Sequence, residues 1–400
     1  MSVSLNMKFQ GIEIFRPSSI AELEIREASE DHLRCDFKVG RYVGRNEVNP
    51  ILQHQFKFYE RLLDELLPSI ASRDFLEFVL YEYEIASKIE SLFKDAKLTN
   101  AEAQKWLLIN KSFRRAAKYL AERTVLVTPS EISRSNNPNL LSIAEKAWIC
   151  AEELVNLYVV SDQTYSIFPD QTYLEILPPG ESDYFCQGLT FELPDIEGRV
   201  YLDSKNRDRF IPSPSFIFDA NAHEKVIGRA FKESVGVTSI EAFEILSTII
   251  EGALPDPKGL PIPFVNKRAV IDNCSKLFGI TKEAVGKVIA GFTISKEEMK
   301  RERREIWKPK QEYRAYRRAF FEYPFLSEPH LTFSKGMAKE SFILLRKDII
   351  FKKLPPEWIT PNLKTRLDQL SNEAGNWFES VVESNLKTLG YAGVRSATGI

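Results

Sequence analysis

The side chains best suited to chemistry on an anionic substrate lie in the segment Lys300–Arg318, KRERREIWKPKQEYRAYRR. It holds nine basic and three acidic residues, interleaved with Trp307, Tyr313 and Tyr316. Arg301, Arg304, Lys308, Lys310, Arg314, Arg317 and Arg318 can neutralise phosphates, and the aromatic rings can stack on unpaired bases. The same run also suits a solvated helix, because Glu302 and Glu305 fall within helical reach of neighbouring arginines. A local excess of six positives (nine minus three), in a chain of formal net charge −2, favours the phosphate contact.

A second group of cations sits just upstream, in Lys267–Phe292, KRAVIDNCSKLFGITKEAVGKVIAGF. Two short amphipathic helices flank Gly279, whose missing Cβ suits a sharp turn. Cys274, Phe278, Ile280, Val285 and Val288 take the buried positions, Ser275 is small where the helices cross, and Thr281 can cap the second helix. The pattern resembles the helix-turn-helix of DNA-binding proteins. Its second helix is expected to expose Lys282, Glu283, Gly286 and Lys287, so Lys282 and Lys287 are candidate nucleic-acid contacts. That surface is thin for base reading, which favours Arg, Lys, Asn and Gln, and a hairpin used only for packing has the same spacing.

The third candidate is acidic. In Glu373–Ile400, EAGNWFESVVESNLKTLGYAGVRSATGI, the residues Ala374, Trp377, Phe378, Val381, Val382, Leu386 and Leu389 recur at spacings of three and four. That is the mark of a helix with one buried stripe. Asn372 is positioned to cap it and Gly390 to end it. Glu379 and Glu383, four apart, share one flank. Gly375, Phe378-Glu379, Val381-Val382, Leu386 and Gly390-Tyr391 together resemble the opening helix of the PD-(D/E)XK, restriction-endonuclease-like, nucleases.

The resemblance spans about 28 of the 400 residues. It implies a metal-dependent nuclease acting on DNA, in which carboxylates hold Mg²⁺ to activate water and stabilise charge on the cleaved phosphate. Glu379 would be the helix glutamate at or beside the metal, the one catalytic and metal residue that carries over. The strand meander, its acidic residue and the acidic-x-Lys tripeptide would all fall beyond Ile400. We therefore expect the nuclease-like module to be truncated and the chain as it stands to be inactive. A terminal amphipathic helix with a solvated acidic face fits the same residues.

Other motifs carry less. Pro194-Asp195 and Asp203-Ser204-Lys205 spell a literal nuclease signature, but seven residues between the aspartates leave room for one short strand and a turn, so a solvated hairpin is the expectation. Walker loops, Gly-x-Gly-x-x-Gly, Gly-x-Ser-x-Gly and His-Glu-x-x-His are absent from the sequence. The four cysteines and four histidines are scattered, which gives no zinc spacing and no disulfide framework.

The elements that must position these residues are mostly helical. Helices are expected near 51–70, 73–96, 99–122, 139–159 and 223–252. Strands are expected at Lys8–Phe15, at Leu33–Val43 (where Leu33, Cys35, Phe37 and Val39 alternate), at Tyr165–Leu177, Leu189–Leu193 and Arg199–Leu202, and at Phe320–Phe325, Leu331–Phe333 and Phe342–Phe351. GALPDPKGLPIP, with four prolines, reads as a linker. The fold class is thus α+β and helix-rich: a multi-element accessory region with short β-hairpins, then an incomplete C-terminal nuclease-like module. The expected divisions are 1–160, 161–252, 265–356 and 361–400.

Apolar residues make up 44% and charged residues 28%, ordinary for a globular chain of two or three domains. A near-neutral chain has no global pull toward nucleic acid or membrane, so any basic footprint is local. No apolar run reaches 18 residues and the N-terminus has no apolar signal core, so a cytoplasmic setting without a membrane partner is expected. DNA is the expected partner. A regulatory nucleic-acid-binding protein without enzymatic activity, or a protein-interaction module, are the alternatives.

Overall fold

The computed structural model describes residues 8–9, 12–93, 100–127, 139–165, 170–180, 184–189, 220–252, 264–294, 325–327, 331–332 and 358–388. These include ten helices, and the chain is helix-rich with small antiparallel sheets. It divides into two compact units. Unit 1 comprises Met1–Glu192, Leu254–Val265 and Ile294–Ala338, and unit 2 comprises Leu193–Ala253, Asn266–Thr293 and Lys339–Ile400. Asp195, Asp203, Lys205 and the whole of Lys300–Arg318 lie outside the described residues, as do the strands expected at Arg199–Leu202 and Phe342–Phe351.

Unit 1 begins with a two-strand hairpin, β1 (Lys8–Phe9) and β2 (Ile12–Glu13), where one strand over Lys8–Phe15 was expected. Helix α1 (Ser19–Asp36) follows, its first turn capped by Ser18, whose hydroxyl accepts from the Ala21 N–H. Ala21, Ile25, Ser29 and Leu33 recur every four residues and form its buried face. The expected strand over Leu33–Val43 is therefore wrong in its first half. Leu33 completes the helical stripe, the Phe37 N–H closes the last turn on the Leu33 carbonyl, and only β3 (Gly40–Val43) is extended. A four-residue apolar alternation is too short to outweigh a capped 3.6-residue repeat.

Four long helices then build the core: α2 (Arg45–Ile70), α3 (Arg73–Phe93), α4 (Asn100–Val127) and α5 (Leu140–Tyr165). All four were expected from periodicity. Helix α5 packs on α2 and α4, and α3 packs on α4. Trp148 of α5 is fully buried, with the rings of Phe113 and Phe15 centred 4.7 Å and 5.2 Å away. Strand β4 (Thr172–Ile176) lies between β3 and β5 (Phe185–Leu189), antiparallel to both. Thr172, Leu174 and Ile176 turn inward at every second residue, as the pleat requires. Short strands β6 (Phe264–Val265), β8 (Phe325–Ser327) and β9 (Leu331–Thr332) pair antiparallel through β9; β7 (Thr293–Ile294) precedes β8 in the chain.

Unit 2 holds α6 (Ala220–Val235), α7 (Ser239–Gly252), α8 (Lys267–Phe278), α9 (Lys282–Gly291) and α10 (Pro361–Thr388). The helical stretch expected over 223–252 is broken at Gly236, which adopts φ 94°. A capping box restarts it. The Glu241 N–H donates to Thr238 Oγ1 at 3.1 Å while the Thr238 N–H donates back to the Glu241 carboxylate at 2.7 Å.

Helix α10 begins eleven residues before the expected cap at Asn372, which is exposed inside the helix. Thr360 caps it instead, accepting from the Leu363 N–H at 3.2 Å, and Pro361 occupies the first helical position, where a missing N–H costs nothing. Leu363, Leu367 and Leu370 form its buried face, and α10 packs against α6. Trp358, just ahead of α10, is fully buried between Phe231 and Phe292, with ring centroids 5.8 Å and 5.6 Å away.

Candidate nucleic-acid interface

The helical hairpin expected at Lys267–Phe292 is present, and local chemistry explains each bend. Asn266 caps α8, its Oδ1 accepting from the N–H groups of Arg268 (2.9 Å) and Ala269 (3.2 Å). Gly279 takes a left-handed conformation, φ 65° and ψ 26°, and its N–H donates to the Ser275 carbonyl. Ser275 Oγ donates to the Ile280 carbonyl at 2.6 Å, which pins the turn. Thr281 then caps α9 by accepting from the Ala284 N–H at 3.3 Å. Across the crossing, a Cβ on Gly286 would meet Ile271 Cδ1 at an ordinary 3.6 Å, so the two helices touch closely there.

The two helices differ in what they show to solvent. In α9, Ala284, Val285, Val288, Ile289 and Gly291 are buried, and exposure is confined to Lys282, Glu283 and Ala290. Lys287 does not project outward as expected. Its Nζ donates to the Ser234 carbonyl at the end of α6, where the ammonium satisfies a helix C-terminal carbonyl. In α8, by contrast, Cys274 alone is buried, and Arg268, Ala269, Asn273, Lys276 and Leu277 are exposed. Of the four residues expected on the exposed side of the second helix, Lys282 and Glu283 are exposed, whereas Gly286 and Lys287 are half-buried.

Charge gathers on the outward side of α8. Lys282 Nζ lies 2.6 Å from Asp272 Oδ1. This hydrogen bond, helped by the positive charges of Lys282, Arg268 and Lys276, holds the Asp272 carboxyl below its usual range. Lys282 pairs with Asp272, and Arg268 and Lys276 stand one turn to either side of it along α8. Arg268, Asp272 and Lys276 stand four residues apart on one helical ridge. That spacing was readable in the sequence, and it is the signal that could have identified Arg268 and Lys276.

Glu379 is exposed on α10, and Glu383 on the same flank pairs with Lys387 at 2.5 Å. The resemblance implies Mg²⁺ at this flank. That ion is bound by one or two carboxylates together with substrate phosphates, and Glu379 would supply one of them. Among the described residues, no group of three or more His, Cys, Asp or Glu side chains could hold a metal ion. No step through a metal is derived.

The remaining buried charges serve packing in unit 1. Arg123 of α4, 2% exposed, donates to Glu60 Oε1 at 3.2 Å and also pairs with Asp64, both on α2. Ser29 Oγ donates to Gln55 Oε1 at 2.8 Å, and the hydroxyls of Tyr59 and Tyr184 are 2.8 Å apart. No described helix is long and apolar enough to cross a membrane. No family profile, curated protein or solved structure matches this chain.

Proposed function

We propose that this chain is a nucleic-acid-binding protein that meets phosphates through the outer side of the α8–α9 hairpin. The observation that supports the reading is that Arg268, Lys276 and Lys282 are all exposed on one side of the hairpin, Arg268 and Lys276 one turn to either side of Asp272 and Lys282 paired with it. Between Lys267 and Gly291 there are five basic and two acidic residues, in a chain whose overall charge is −2. Local excess of this kind supplies the sequence-independent part of nucleic-acid affinity.

The test is fluorescence anisotropy of a labelled 20-base-pair duplex titrated with the full chain across a salt series. Three phosphate contacts give a log Kd against log salt slope of magnitude about 2.7. The double substitution R268Q/K276Q should abolish retention at low salt with little change in the thermal unfolding midpoint, since both residues are exposed and the Lys282–Asp272 pair is kept. Absence of any retention of the unmodified chain at low salt overturns the proposal.

A second reading rests on the exposure of Glu379 on a helix that forms where the nuclease resemblance requires one. In that reading the chain is the accessory portion of a metal-dependent nuclease and Glu379 assists a metal site completed by other carboxylates. Purified chain incubated with DNA and Mg²⁺ should then cut nothing. Cleavage of DNA by the purified chain would overturn this assignment of the active site.

A further inference from the structure

The first helix of the hairpin offers more than charge. Ala269, Asn273, Lys276 and Leu277 follow one another at spacings of four, three and one, so they share one outward stripe; Leu277 is 66% exposed. Arg268 lies on the neighbouring ridge. These are the side-chain types that distinguish base pairs by their edges. A primary amide pairs with the N6 and N7 edge of adenine, a guanidinium or ammonium with guanine, and an aliphatic methyl packs on the thymine methyl. Asp272 lies within the same surface, but its charge is engaged by Lys282 and so opposes phosphate less.

From this stripe we infer that α8, and not α9, is a sequence-reading helix that enters the major groove of duplex DNA. The inference rests on the nucleic-acid reading above and adds the substrate class and the reading residues. The covered face of α9 leaves α8 as the exposed helix of the pair. A helix about 10–12 Å across fits a B-form major groove about 12 Å wide. A-form RNA has a deep, narrow major groove that excludes it. Single strands are bound by stacking on exposed rings, whereas in this hairpin Phe278 is half-buried and Phe292 buried. Asn273 is the central reader, Ala269 and Leu277 pack on thymine methyls, and Arg268, Lys276 and Lys282 fix register on phosphates or guanine.

Selection of the full chain on duplexes with a randomised core, followed by affinity measurement on the enriched sequence, tests this. The expected result is a short motif containing an adenine–thymine pair. In Asn273→Ala, preference at that pair should fall about tenfold while binding to unrelated duplex changes less than about twofold. A minor-groove ligand such as distamycin should not displace the protein. Duplex binding without an enriched motif, or a motif whose preference survives in Asn273→Ala, overturns the inference and leaves phosphate binding standing. Equal affinity for duplex RNA of the same sequence also overturns it. Failure to bind any nucleic acid at low salt removes both readings. Asn273 is exposed, so the variant keeps the wild-type unfolding midpoint; a double variant, A269E/L277E, reports independently by blocking motif binding through charge on the same stripe.

Discussion

Gly291, the last residue of α9, lies directly against the indole of Trp358. A Cβ built on Gly291 would overlap Trp358 Cζ2 and come within 2.8 Å of both Cε2 and Cη2. The indole has nowhere to retreat, since Phe231 and Phe292 meet its other sides edge-on and its own carbonyl accepts from Ser234 Oγ. Glycine is therefore required here by contact with a ring and not by backbone angle.

Gly291→Ala should lower the stability of unit 2 by about 1–3 kcal/mol, the usual cost of forcing one methyl into a packed core. Urea unfolding followed by circular dichroism measures it. Gly286→Ala is the control, because the added methyl there would sit at an ordinary distance from Ile271. Helix propensity favours alanine at both positions, so an equal loss at both would show that the Trp358 contact does not set the cost.

In unit 1, Arg123 is the buried cation whose removal should matter most. Its charge is satisfied by Glu60, which is itself buried, and by the more exposed Asp64. Arg123→Ala breaks the pairs with Glu60 and Asp64 at a buried site, and losing one side of a buried pair costs about 3–5 kcal/mol. The double replacement R123M/E60L should recover much of that loss, because two matched apolar groups need no partner. Thermal melts of the three variants decide the matter, and a double variant no more stable than R123A contradicts it.

How far the sequence could be read follows from these cases. The long helices of unit 1 were legible because each repeats apolar residues over five or more turns, and the hairpin was legible because Gly279 and Thr281 mark its turn by their own chemistry. Helix α1 was misread from Leu33 onward because the alternation of Leu33, Cys35, Phe37 and Val39 competes with the stripe of Ala21, Ile25, Ser29 and Leu33; only the Ser18 cap settles which repeat governs. The start of α10 is offered twice in the sequence. Asn372 can cap a helix, but Thr360-Pro361 does so first. Lys287 could not be read at all. Its partner is a main-chain carbonyl more than fifty positions away, and no side-chain pattern encodes that.

The placement of Lys287 separates it from the cations of α8 in a measurable way. Lys287→Ala should leave the salt slope of duplex binding unchanged, because an ammonium held by the Ser234 carbonyl releases no counterion on binding. Its cost should appear in stability instead, about 0.5–1.5 kcal/mol for one lost hydrogen bond. Lys276→Ala should show the reverse, a slope shallower by about 0.9 with an unchanged unfolding midpoint. A reduced slope in Lys287→Ala would mean that the lysine leaves its carbonyl to meet the nucleic acid.

Glu152 of α5 sets the pH dependence expected of unit 1. Burial pushes its carboxyl up to about 7, while the Trp148 indole N–H, donating at 3.1 Å, partly favours the ionised form, and the neighbouring Glu153 charge opposes it. The folded value lies above the unfolded one, so the unfolded chain binds fewer protons between the two. Stability then falls as pH rises from about 4.5 toward 7, and levels off above that. The span corresponds to roughly 3 kcal/mol as an upper bound. Glu152→Gln keeps an oxygen for the indole N–H and carries no charge, so its stability advantage over the unmodified chain should be small at pH 4.5 and largest at pH 8. Denaturant midpoints measured at both values check this. An advantage independent of pH would place the Glu152 carboxylate in contact with water, with its ordinary titration.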